Sequence, residues 1–177
     1  MKIRILALIS FFITFFYAGY SFAGADIDGW KNAKWGMTKK QIENNYQLDP
    51  EWYFDKVSGK STSSIRLKNH ITLLDDDANV FFVFNEKSSK GKLKEVGIFS
   101  HFNTNSVNNL INLYVKKYGQ PNRNENFTKY DDHVKIITWV KKSGTLTLRS
   151  TTSFNNPFNK SMVKIIYSGT DKSIDNI

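Results

Sequence analysis

The 177-residue chain contains no cysteine. That excludes disulfides, the lipidated cysteine of an exported lipoprotein, a thiolate nucleophile and any cysteine-ligated zinc. Histidine is scarce: His70, His101 and His133 fall in separate segments with no H-x-x-x-H spacing, so the sequence sets up no metal centre. No G-x-S-x-G, no phosphate-cradling glycine loop and no recognisably spaced carboxylate pair is present. With no catalytic residues to name, the chain is expected not to be an enzyme and to need neither cofactor nor metal. The enzyme alternative is an envelope hydrolase whose site is assembled in space.

What is present begins with a leader. Residues 1–25, "MKIRILALISFFITFFYAGYSFAGA", carry Lys2 and Arg4, run apolar from Ile5 to Tyr17, and end in Ala23-Gly24-Ala25. That is the layout of a secretory signal peptide, with cleavage expected after Ala25 and a second option after Ala23. An uncleaved anchor is the alternative, since the apolar run with its flanks approaches the ~20 residues of a spanning helix. Twin-arginine targeting is not indicated, which argues against a cofactor loaded before export. The expected location is periplasmic or secreted, with no integral membrane segment after cleavage. Residues 26–177 are long enough to bury a core without staples, as one compact domain or two fused halves, about 30–102 and 103–170.

Loss of Lys2 and Arg4 with the leader leaves 23 basic against 16 acidic residues, a net charge of +7. Such a balance suits acidic protein partners, lipopolysaccharide or anionic lipid heads. It equally suits plain solubility: the lysines are scattered, and beyond the leader only Arg66, Arg123 and Arg149 remain. Export removes nucleic acid from consideration.

Local chemistry marks two helices. In "WGMTKKQIENNY", residues 35–46, Thr38 and Gln41 have capping-box spacing, with Met37 and Ile42 at the two staple positions and Asp49-Pro50 closing the segment. From Thr104 to Tyr118, Val107, Leu110, Ile111, Tyr114 and Tyr118 share one helical face; Lys116 and Lys117 suit its end, and Gly119 and Pro121 stop it. The remaining patterned runs predict strands at 71–74, 80–84 and 93–102 after the first helix, and at 135–140, 145–150 and 162–167 after the second. The expected fold class is therefore α+β: two tandem helix-plus-antiparallel-strand units, with the helices packed on one face of an antiparallel sheet.

"GMTKKQI", Gly36 to Ile42, resembles the G-M-T-x-x-Q-[VIL] helix start of two exported families. One is the small SmpA/BamE lipoprotein of the outer-membrane β-barrel assembly machine; the other is the β-lactamase inhibitor protein, built from two tandem αβ units. Tyr118-Gly119-Gln120-Pro121 is similar to the helix end such domains use. Both families are protein-binding modules, which is what the resemblance implies here. This chain has neither their cysteines nor a second G-M-T.

Asp75, Asp77, Asn79 and Glu86 match four positions of a calcium loop, but Val80 stands where that loop needs glycine, and "VFFVF" from Val80 reads as a strand. An acidic turn between strands is the simpler expectation. Aromatics carry more. "VFFVF" must place rings on both faces of a strand, so at least one face needs a helix, a second layer or a partner. "EWYFD" at 51–55 and "SFNNPFN" at 153–159 place rings in expected loops among polar residues, which marks Trp52, Tyr53, Phe54, Phe154 and Phe158 as candidate partner-binding residues. The functional expectation is an exported protein-binding module acting by steric occlusion: an inhibitor or immunity protein, or an envelope assembly accessory. Its partner would be another protein, an enzyme or toxin or an envelope component. A small-ligand or lipid carrier with a pocket between helix and sheet is the other alternative.

Overall fold

The computed structural model describes residues 24–53, 63–86, 88–154 and 160–170, with backbone alone for 50–53. The first helix, α1 (Lys39–Asn45), starts as its sequence dictates. The Thr38 N–H donates to Gln41 Oε1 at 2.7 Å while the Gln41 N–H donates to Thr38 Oγ1 at 3.3 Å, a reciprocal capping box. Ile42 is fully buried, and Met37 packs against the core. The second helix, α2 (Thr104–Tyr118), is capped by the Asn103 side chain, buries Val107, Leu110, Tyr114 and Tyr118, and stops at Gly119, whose φ of 80° favours glycine. Thr38→Ala should lower stability by about 0.5–2 kcal/mol by removing the cap acceptor. Gly119→Val should cost at least as much, since a β-branched residue resists positive φ. Urea melts check both, and parent-like midpoints for the pair would refute the capping argument.

Around these helices the chain is strand: β1 (Gly29–Trp30), β2 (Ala33–Lys34), β3 (Leu48–Tyr53), β4 (Ser63–Leu67), β5 (Ile71–Leu73), β6 (Asp76–Phe84), β7 (Leu93–Asn103), β8 (Arg123–Lys129), β9 (Asp132–Val140), β10 (Gly144–Ser153) and β11 (Lys160–Gly169). β1 and β2 form a small ribbon, while the others make one nine-stranded antiparallel sheet ordered β3-β4-β6-β7-β11-β10-β9-β8, with β5 hooked onto β6. β3 is an edge strand, so Pro50 costs no interior ladder bond there.

The expectation of two helix-plus-strand units with helices covering the sheet is overturned, because the sheet dominates. Among the described residues there are two helices. α1 has seven residues and buries only Ile42, too narrow a stripe to cover several strands, and α2 alone packs broadly, against β7 and β11. The cover that α1 cannot give comes from the amino-terminal segment, where Ile27, Trp30, Ala33 and Trp35 are all buried. Trp30 meets the Phe82 ring edge-on at 6.0 Å, and Tyr46 lies 5.0 Å from the same ring. Trp35 donates its indole N–H to the Ile27 carbonyl at 2.7 Å.

Alternation decides which residues form the core. One register row crosses six strands as Ile65–Phe82–Val96–Tyr167–Leu146–Trp139, every member buried on the covered face. Tyr114 of α2 caps this row: its hydroxyl accepts from Tyr167 at 3.0 Å and its ring meets Trp139 edge-on at 5.8 Å.

Candidate functional site

The opposite face of the sheet bears neither of the described helices, and its side chains are set by the same alternation. Its central row reads Asn79–Phe99–Lys164–Arg149–Ile136–Glu125 across β6, β7, β11, β10, β9 and β8. Arg149 and Lys164 are therefore direct cross-strand partners in the middle of the sheet. Like charges in that relation destabilise a sheet. Along their own strands on this face they are flanked by Thr147 and Thr151, and by Met162 and Ile166, so no carboxylate adjoins either. Neither takes part in an ion pair among the described residues, whereas Arg66 pairs with Asp49 and Arg123 with Glu125, each at 2.5 Å. Lys164 Nζ lies 5.0 Å over the Phe99 ring, which in turn packs edge-on against Phe81 at 5.3 Å.

That last contact shows how the rings of "VFFVF" are accommodated. Phe82 and Phe84 enter the core, while Phe81 turns outward and is half-buried against Phe99. Beside the cationic row runs a second one, Phe127–Val134–Thr151–Met162–His101, with Phe127 40% and Met162 52% exposed. At the β8–β9 turn, Tyr130 is 90% exposed. The open face thus joins a pair of cations, without a carboxylate partner among the described residues, to apolar side chains, a combination that suits a desolvating contact with an acidic surface.

The residues expected to bind a partner fall in several places. Trp52 and Tyr53 belong to the edge strand β3, not to a loop, and Tyr53 is in register with Ile65. Phe54, Phe158 and residues 1–23 lie outside the described residues. Phe154 is 61% exposed and its ring lies tilted against His133 at 4.9 Å, while its N–H donates to the Asp131 carbonyl at 3.0 Å beside Tyr130. Arg149, Lys164, Phe99, Met162, Phe127 and Tyr130 were not singled out by the sequence. The signal that finds most of them is the outward set of alternate positions in each strand, readable once strand pairing is known.

Chemistry needing converging groups finds little here. His70, His101 and His133 are each exposed and lie in separate segments. Ser100 and His101 are consecutive in β7 and so point to opposite faces; the Ser100 hydroxyl donates to the Asp77 carbonyl at 2.5 Å. No group of three or more histidines and carboxylates able to hold a metal forms among the described residues. Of the residues matching a calcium loop, Asp75 sits in the β5–β6 turn with Leu74, both at positive φ, while Asp77 and Asn79 are drawn out along β6 and Glu86 follows its far end. A hollow of about 520 Å³ at this end is lined by Asp75, Asp76, Asp77, Asn79 and His101 among others. A second of about 460 Å³, between α1 and β3–β4, is lined largely by polar groups including Lys39, Glu43, Gln47 and Lys68, unlike the apolar cavity of a lipid carrier. No described helix is long and apolar enough to cross a membrane. Comparison of the chain with protein-family models, curated proteins and solved structures finds no match.

Proposed function

We propose that the protein is an exported protein-binding module that occludes part of an acidic partner with the open face of its sheet, Arg149 and Lys164 at the centre of the contact. The periplasm or the cell exterior is its place of work, consistent with the leader-like residues 1–25. The observation that carries the reading is two adjacent cations amid apolar side chains, neither with a carboxylate partner among the described residues. The fold gains nothing from opposing like charges, whereas an acidic partner would neutralise both while burying the neighbouring rings. The resemblance of "GMTKKQI" to protein-binding modules supports the same class. An inhibitor, an immunity protein and an envelope assembly accessory all act in this manner, needing no cofactor and no chemical step.

Arg149→Glu tests this directly. The substitution turns a repulsive cross-strand pair into an attractive one with Lys164, so thermal stability should hold or rise by a few tenths of a kcal/mol. Binding should fall by about 2 kcal/mol or more, as expected for a central contact charge. Affinity capture from envelope extract with parent and variant, followed by titration of the captured protein, reads both effects. Nothing retained by the parent, or equal retention by the variant, would overturn the proposal.

A further inference from the structure

We infer that the leader is removed between Ala23 and Gly24, so that Gly24 and Ala25 belong to the mature fold. The inference rests on the export reading and fixes its register. On sequence alone the two sites compete: each offers small residues at the last and third-last leader positions, Ala25 with Ala23, and Ala23 with Ser21.

Geometry separates them. The Gly24 backbone lies so close to the end of α2 that a Cβ there would stand 2.2 Å from the Tyr118 carbonyl carbon and 2.3 Å from its oxygen. Only glycine fits this approach. The next residue donates its N–H to the Lys117 carbonyl at 2.9 Å, satisfying one of the acceptors that a helix end leaves open. Asp26 then grips the β9–β10 turn, its carboxylate accepting the Ser143 N–H at 3.1 Å and the Ser143 hydroxyl at 2.7 Å. Burial alone would raise the Asp26 pKa, but the Ser143 bonds hold it below the usual carboxylate value. Ile27 follows, 1% exposed, its carbonyl seated over Gly144 and accepting from Trp35. Residues 24–27 are thus a strap joining the end of α2 to the β9–β10 turn.

Hydrolysis after Ala25 would remove the N–H that serves Lys117 and replace the Asp26 amide by a charged amine within the strap. Hydrolysis after Ala23 keeps every one of these bonds. In that step a membrane leader peptidase adds water across the Ala23–Gly24 amide, giving the Ala23 carboxylate and the Gly24 ammonium. The new cation then lies beside the carboxyl end of α2, where the helix dipole favours positive charge and Lys116 and Lys117 already stand.

The test is expression of the full precursor in a secreting bacterial host, with intact mass and amino-terminal sequencing of the exported product. Gly24 is expected as the first residue. A start at Asp26, or at any other internal position, overturns the proposed register while leaving export intact; a product still beginning at Met1 overturns the export reading itself. In parallel, chains beginning at Gly24 and at Asp26 are melted side by side. The shorter chain should melt lower by about 2–4 °C, the shift expected for the loss of a helix-end bond in a domain of this size. Equal melting would show that residues 24 and 25 add nothing to the fold, contrary to the inference.

Discussion

Trp139→Ala should remove about 3–5 kcal/mol of stability, much of what a domain of this size possesses. The indole is fully buried at one end of the six-strand core row, against Tyr114, and its N–H donates to the Gly119 carbonyl at 2.8 Å. Truncation therefore empties volume beneath α2 and orphans the carbonyl at the helix stop. Trp139→Phe separates the two effects: most of the ring is kept, the bond is lost, and the expected cost is about 1–3 kcal/mol. Urea denaturation of both variants gives the comparison. If alanine were no worse than phenylalanine, the packing of α2 on β9 would be refuted.

The second large effect is a loss of stability in alkali. Burial pushes the Tyr114 phenol up to about 12, with the nearby Tyr118 acting in the same direction and the bond from Tyr167 opposing it. Burial raises Tyr167 as well, and Tyr114 adds to that rise. An unfolded tyrosine ionises near pH 10. Both groups thus contribute stability that is fully present below about pH 10 and is lost as the pH rises from there towards the folded value, because the unfolded chain alone releases its protons. For Tyr114 the loss by pH 12 is about 2 kcal/mol, and Tyr167 adds to it. Urea midpoints measured from pH 8 to 12 should fall steeply above 10. The same series on Tyr114→Phe with Tyr167→Phe should be markedly flatter. Equal slopes would mean that these phenols titrate freely in the fold.

Features carried by near neighbours in sequence were legible. The Thr38–Gln41 capping box, the span of α2 and the presence of strands at β7, β9, β10 and β11 all follow from hydroxyls, glycines and apolar patterning within a few residues of one another. β8 was not, since "RNENFTK" has a single apolar residue, Phe127, on an edge strand and so no period to detect. "EWYFD" was read as a loop because Asp49-Pro50 resembles a break, whereas an edge strand tolerates proline. The fold class failed for a related reason. A well-capped helix start says nothing about how far the helix runs, and the cover that α1 cannot supply is given by Ile27, Trp30 and Trp35, whose surroundings carry no periodic signal. The candidate site was hidden by register. Arg149 and Lys164 are fifteen positions apart and read as isolated charges until β10 and β11 pair.

The place of β11 in the sheet governs the order in which the molecule can be completed. Of the described strands this one is the last to be synthesised, yet it lies between β7 and β10 near the middle of the sheet. Until residues 160–169 arrive, β7 and β10 each present an unpaired edge, and Tyr167, Ile165 and Val163 are missing from the core. No amino-terminal portion of the chain can therefore close the sheet by itself, and long-range pairing of this kind places folding on the millisecond-to-second scale. A chain built so acquires its mechanical integrity late, when one strand locks two separately formed half-sheets together.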